Sequence, residues 1–234
     1  MHDTALDSGA KFFAQYSPPC AAGEVVRVVD IGSQDVNGSL REVCPPQYDY
    51  LGLDYAAGKG VDRVMTDPCQ IPLPTGSADL VVSSSCFEHA ELFWVLYLEA
   101  LRILKPHGLL YLNAPSAGGV HRYPLDCWRF YPDSGLALSR WAHHSGLQEV
   151  ALLESFIDSN GMWGDFVGIY LRDARFAAHY PQRVHALKPG VTNIRCIEQG
   201  DEVVWPAGYV VRPPPVLSLR QRALRRLRGL LSAP

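Results

Sequence analysis

The sequence predicts an α/β protein built on a doubly wound, mostly parallel sheet. Three observations predict it. Apolar, β-branched runs alternate with stretches of helical periodicity. The first such run, EVVRVVDIG (24–32), is apolar on both faces, as a strand covered on both sides must be. Several of these runs also close on polar residues, at the strand ends where open α/β sheets bind ligands. The 234 residues suffice for one medium domain with extensions, and a composition 47% hydrophobic and 19% charged supplies an ordinary core.

The elements follow in order. Residues 4–16 read as a short helix that offers Phe12, Phe13 and Tyr16 for packing and ends at Pro18-Pro19. The first strand is 24–32. A helix is expected from Val36–Asn37 through SLREVC, stopped by Pro45-Pro46. YDYLGLD (48–54), VDRVMTD (61–67) and Asp79–Ser83 are the next three strands. Residues 90–104, AELFWVLYLEALRIL, carry helical periodicity up to Lys105-Pro106-His107-Gly108, and GLLYLNAP (108–115) is the fifth strand. A helix is expected from Pro132 to about Ser145. GLQEVALLESF (146–156) and DFVGIYLRD (165–173) then form an antiparallel edge joined by the loop IDSNGMWG. Residues 174–211 read as a mostly irregular extension. The chain divides at RPPP (212–215) into a body, 1–211, and a tail, 212–234.

The strand ends carry the chemistry. They read Asp30-Ile31-Gly32-Ser33-Gln34-Asp35, then Asp54, Asp67-Pro68, Ser83-Ser84-Ser85 and Asn113-Ala114-Pro115. Gly32 allows close approach of a ligand to the backbone. An acid 24 residues beyond Asp30 is placed to accept ribose hydroxyls. An adenosine-bearing ligand fits these ends. A nicotinamide dinucleotide does not, because GxGxxG is absent and no row of amides is set out for a pyrophosphate. The Tyr55-x-x-x-Lys59 spacing falls directly after the second strand with a glycine inside it, the wrong place for a reductase pair.

Four blocks in this order, VVDIGSQDVNG, LGLDY, DPCQIPLPTGSADLVVSSSCFEH and LRILKPHGLLYLNAP, resemble a class I S-adenosylmethionine-dependent methyltransferase over about residues 25–173. The resemblance implies a Rossmann-like, seven-stranded sheet with its last strand antiparallel. It implies S-adenosylmethionine as cofactor and S-adenosylhomocysteine as product. Asp30 and Gly32, with Ser33 and Gln34, would lie near the methionine moiety. Asp54 and Tyr55 would meet the ribose, Asp67 and Pro68 the adenine, and Ser84 the floor beneath the sulfonium. The family's glycine-rich turn is altered here, because Gln34 and Val36 replace two of its glycines.

HRYPLDCWRFYPD (121–133) follows the fifth strand and reads as the acceptor wall. Tyr123, Trp128 and Tyr131 can stack on a sugar face. Arg122 and Arg129 can hold a carboxylate or phosphate. His89, His121 and Asp126 are the candidate catalytic bases. A competing reading places Trp128 and Phe130 in the core and pairs Arg129 with Asp126 or Asp133. The wall and SSSCFEH also resemble methyltransferases of surface-polysaccharide and glycan assembly, which implies O-methylation of a sugar. Two alternatives stay open: N- or O-methylation of a small natural product, and a non-catalytic cofactor-binding scaffold in a glycan-assembly complex.

Residues 212–234 hold six arginines and no acid, leaving 15 basic against 24 acidic residues in the body, a net of −9 that disfavours nucleic acid. In VLSLRQRALRRLRGLL, Leu217, Leu224 and Leu231 recur every seven residues, so 217–231 reads as a basic amphipathic helix for an anionic membrane surface or a protein partner. The N-terminal segment lacks a signal-peptide pattern. Six unclustered cysteines point to a reducing compartment, so the expected location is the cytoplasm, with the tail at the inner membrane face. No metal-ligand spacing is evident.

Overall fold

The computed structural model describes residues 3–161 and 163–200. Helix α1 (Asp3–Gln15) leads into β1 (Arg27–Ile31), β2 (Asp49–Asp54), β3 (Arg63–Val64) and β4 (Ala78–Ser84). Helix α2 (Phe93–Ile103) connects to β5 (Leu104–Ala117), and α3 (Ser134–His144) precedes β6 (Ala151–Asn160), β7 (Trp163–Leu171) and β8 (Thr192–Cys196). The sheet order is β3-β2-β1-β4-β5-β7-β6-β8. Strands β1 to β5 run parallel; β7 is antiparallel to both β5 and β6, and β8 is antiparallel to β6.

Alternate residues of the central strands feed two cores, as the two-residue period of a strand requires. Val29, Ile31, Val81, Leu110 and Leu112 face α2 and α3. Val28, Leu80, Val82, Leu109 and Tyr111 face the side of α1, where Phe12 meets Tyr111 with ring centroids 4.9 Å apart. Helices therefore cover both faces, as expected.

The structure corrects four expectations. Among the described residues the sheet has eight strands rather than seven, because β8 forms within the stretch expected to be irregular. Its sequence, TNIRC, has little apolar character, and pairing with β6 through Glu154–Cys196 and Ser155–Arg195 makes it a strand. The helix expected after Val36 is only a 3-10 turn, Leu40–Glu42, between Gly38 in the left-handed region (φ 110°) and Pro45. The strand expected at 61–67 contracts to Arg63–Val64. The loop IDSNGMWG is mostly strand, since β6 runs to Asn160 and β7 begins at Trp163. Among the described residues no helix is long and apolar enough to cross a membrane. The RPPP segment and the basic stretch 217–231 lie outside the described residues.

Candidate active site

The chain leaves β1 toward β2 on one side and β4 toward β5 on the other, so the order reverses between β1 and β4. Ligands of open α/β sheets bind at the carboxyl ends beside such a reversal. A cleft of about 360 Å³ opens there, within the size range of small-molecule sites. It is lined by Asp30 and Gly32 to Gln34 from the end of β1, Val36 to Leu40 beyond it, Ser84 and Ser85 from β4, and His89, His121, Arg122, Tyr123 and Trp163.

Gly32 is required twice over. Its φ is 82°, and a Cβ there would come within 2.4 Å of the Cβ of Cys86. Glycine thus lets the end of β1 lie directly against the loop after β4. Asp30 is buried and accepts the Tyr50 hydroxyl at 2.6 Å. Burial holds its carboxyl up to about 7, against the opposing pull of that hydroxyl and of Arg41. Ser33 and Ser84 are buried with hydroxyl oxygens that have no hydrogen-bond partner among the described residues. The altered glycine-rich turn is held differently from a helix entry: the Asp35 amide donates to the Lys59 carbonyl at 2.8 Å, and the Gln34 side chain lies against Gly58.

Four predicted cofactor residues do not line this cleft. Asp54 is buried at the end of β2 and accepts the amides of Gln34 and Ala56, both at 3.2 Å, so it braces the β1 loop. Tyr55 is exposed beside it, its phenol pushed up by desolvation and by the nearby acidic groups of Asp54, Tyr123 and Cys86. Asp67 and Pro68 are exposed, and Asp67 caps its own turn by accepting the Cys69 amide at 2.8 Å.

The wall 121–133 divides between the cleft and the core. His121, Arg122 and Tyr123 line the cleft. Phe130 is core, edge-on to Phe93 at 5.0 Å. Trp128 donates its indole N–H to the Ala90 carbonyl at 3.0 Å and packs edge-on against Phe93 and Trp94, in a separate apolar groove of about 460 Å³ over α2 and α3. Tyr131 is 65% exposed and lines neither cavity.

Two expected site residues serve structure instead. Arg129 bonds both oxygens of Asp126, the carbonyl of Trp128 at 2.7 Å and that of Gly119 at 2.9 Å. Its guanidinium is committed to the loop and is not available to an acceptor's anion. Arg129 in turn holds the Asp126 carboxyl far below the usual carboxylate range, helped by the His121 amide at 2.6 Å. Asp126 is therefore too weak a base to take a proton from a hydroxyl.

Two residues that the sequence reading did not single out complete the site. Glu88 is fully buried, and neither carboxylate oxygen has a hydrogen-bond partner among the described residues. Its Oε1 lies 3.5 Å from Nε2 of His89 and 3.8 Å from Nε2 of His121. Its backbone carbonyl accepts the amides of Cys127 and Trp128, tying the wall to the loop after β4. The Glu-His pair in SSSCFEH was the available signal. Trp163 stands edge-on to His121 at 5.5 Å and passes over Gly118, where a Cβ would come within 2.2 Å of the indole. The His89 and His121 rings meet edge-on at 5.2 Å. The contact with Glu88 is the main influence raising the His121 imidazole above its usual range.

The residues fit S-adenosylmethionine. The orphaned hydroxyls of Ser33 and Ser84 and the carboxylate of Asp30 offer polar partners, and Gly32 leaves the backbone approachable. Residues 15–112 match the methyltransferase domain family. No curated protein matches by sequence. Among solved structures, the chain is similar to one in the complex between the Haloferax volcanii Trm112 methyltransferase activator and its methyltransferase, at 18% identity over 73% of this chain and 91% of that one, TM-score 0.51. It is similar to the Burkholderia thailandensis 1,6-didemethyltoxoflavin-N1-methyltransferase, solved with S-adenosylhomocysteine, at 13% identity over 72% and 79%, TM-score 0.52. It is also similar to the [4+2]-cyclase SpnF, at 14% identity over 70% and 80%, TM-score 0.52. At these identities the structures speak for the fold, and the family match adds the sequence signature. The chain thus has the class I methyltransferase fold, and its residues 15–112 carry the methyltransferase-domain signature, with S-adenosylmethionine as the cofactor.

Proposed function

We propose that the protein methylates an oxygen of a sugar or sugar-containing acceptor. The observation that carries this reading is the gathering of His89 and His121 Nε2 around Glu88, on the cleft wall that also holds Ser84. An alcohol is a poor nucleophile until its proton is removed, and a nitrogen acceptor needs little such help. Basic groups concentrated beside the cofactor cleft therefore favour a hydroxyl.

The bound cofactor supplies an electrophilic methyl on a sulfonium. The chain supplies placement, which can account for much of the barrier. Asp30, Ser33, Gln34 and Ser84 hold the cofactor, and Gly32 keeps the backbone out of its way. Arg122 and Tyr123 orient the acceptor at the cleft mouth, and Tyr123, half exposed, is free to stack on a sugar face. The lone pair at Nε2 of His121 or His89 accepts the hydroxyl proton as the oxygen attacks. Trp163 covers the imidazole of His121 and limits water there.

Methylation of a small flat natural product is the second reading. The modest cleft volume and the tryptophan on its wall favour it, and a small-molecule N-methyltransferase is among the similar folds. The basic stretch 217–231 would bring either enzyme to an anionic membrane surface or a protein partner. The test is calorimetric titration with S-adenosylhomocysteine, followed by a methyl-transfer assay over sugars, nucleotide sugars and aromatic heterocycles. Micromolar cofactor binding with turnover on a sugar hydroxyl is expected. Turnover confined to heterocycle nitrogens would replace the sugar reading, and cofactor binding without any turnover would favour a scaffold.

A further inference from the structure

We propose that Glu88, His89 and His121 bind one divalent first-row transition ion, of the Zn²⁺ class, at the acceptor side of the cleft. The three donor atoms lie within 4.8 Å of one another. Two donors on a tetrahedral ion, each about 2.1 Å from it, stand about 3.4 Å apart. Glu88 Oε1 and His89 Nε2 are at 3.5 Å, and Glu88 Oε1 and His121 Nε2 at 3.8 Å. These two pairs need only a few tenths of an ångström of closure, and the two imidazole nitrogens, within 4.8 Å of each other, close by a rotation of the half-exposed His121 ring.

The ring tautomers suit ligation. The Leu125 carbonyl lies in hydrogen-bond contact with His89 Nδ1. A carbonyl only accepts, so Nδ1 carries the hydrogen and Nε2 keeps its lone pair. His121 Nδ1 lies 3.4 Å from the Gly119 carbonyl and 3.6 Å from Asp126 Oδ2, both acceptors, which leaves its Nε2 lone pair facing Glu88 as well. Orientation of each ligand imidazole by an outer acceptor is the usual second layer of a metal site. Here that layer is itself anchored, because Arg129 fixes Asp126 and Asp126 accepts the His121 amide.

Glu88 is the independent observation. A fully buried carboxylate with no hydrogen-bond partner on either oxygen among the described residues is costly, and an imidazole that is neutral, with its hydrogen on Nδ1, adds no donor to it. A cation among the three atoms relieves all of them together. Two imidazoles and one carboxylate select Zn²⁺, Fe²⁺ or Co²⁺ over Mg²⁺ or Ca²⁺, which prefer oxygen. Three protein ligands leave a coordination position open toward the cleft, as catalytic sites do.

The ion's role rests on the methyl-transfer reading; the site itself does not. An acceptor hydroxyl bound at the open position becomes more acidic. Its proton leaves to water at the cleft mouth, and its oxygen, held by the ion, forms the new bond to the methyl carbon while the bond from that carbon to sulfur breaks. With the ion in place the imidazoles are ligands, and this replaces proton transfer to a bare ring.

The test uses the full chain, stripped with chelator, kept reduced and titrated with Co²⁺ and then Zn²⁺. One equivalent of Co²⁺ should give a visible ligand-field band that Zn²⁺ abolishes, with Mg²⁺ ineffective. His121→Ala, at a half-exposed position that tolerates truncation, and Glu88→Gln should each lower the affinity by more than the ~10–100-fold that losing an outer partner costs. S-adenosylhomocysteine affinity, measured on the same samples, should stay within about twofold, which separates failure of the ion site from failure of the cofactor reading. A band that survives unchanged in His121→Ala would assign the ion to cysteine thiols and overturn the proposal. So would the absence of any band in wild-type protein that still binds S-adenosylhomocysteine.

Discussion

Arg129 grips Asp126 through both carboxylate oxygens, with Nη2 at 2.8 Å from Oδ2, and the same carboxylate accepts the His121 amide. The pair therefore sets where His121 stands in the cleft. Arg129→Ala leaves a nearly buried carboxylate without its cation. It should cost about 1–3 kcal/mol of stability, read by urea denaturation. Turnover should fall with no special loss for anionic acceptors. Unchanged stability with selective loss of anionic acceptors would return Arg129 to the binding surface.

Gly32→Ala places a Cβ against Cys86 at a backbone angle that side chains rarely adopt. The left-handed conformation alone costs about 1–2 kcal/mol, before the contact is counted. The variant should melt lower and lose affinity for S-adenosylhomocysteine at least tenfold by calorimetry, because the β1 loop must retreat. Gly76→Ala, with open space around it, is the matched control that should keep wild-type affinity.

Asp30 gives stability a pH signature. Its folded carboxyl is raised to about 7, above the ordinary value near 4 that it regains on unfolding. Between these two values the folded state binds more protons, so Asp30 erodes stability as pH climbs from about 4 to about 7, and no further above that. Asp30→Asn removes this slope. The difference in unfolding free energy between variant and wild type should grow in the variant's favour from pH 5 to pH 8. A difference that does not change with pH would refute the assignment.

Gly118→Ala should act on the acceptor side alone. The added Cβ meets the Trp163 indole, and Trp163 stands against His121. Turnover should drop while S-adenosylhomocysteine affinity holds. Equal losses of both would mean the whole cleft had shifted.

Tyr16 closes the far face. Its hydroxyl donates to the buried Glu154 at 2.5 Å, and Glu154 also accepts the amides of Val184 and His185. Tyr16→Phe should cost about 1–3 kcal/mol without changing cofactor affinity, since the contact lies on the α1 side of the sheet.

The sequence by itself determined the sheet and the chemistry of its ends. Runs such as EVVRVVDIG are apolar enough to need cover on both faces, and local periodicity marks α2 and α3 to within a few residues. Asp30, Gly32, Gln34 and Ser84 reach the cleft because strand polarity alone sends carboxyl ends there. Only the tertiary structure decided the rest. TNIRC becomes a strand through its partner β6 and not through its own pattern. Arg129 and Asp126 carry the side chains of a binding site, but their short separation lets them satisfy each other first. Glu88 looks like a surface acid in sequence, and folding buries it between two histidines carried on different loops. Residue type fixes which groups can do chemistry. Packing fixes which are already paired and which are left facing the ligand.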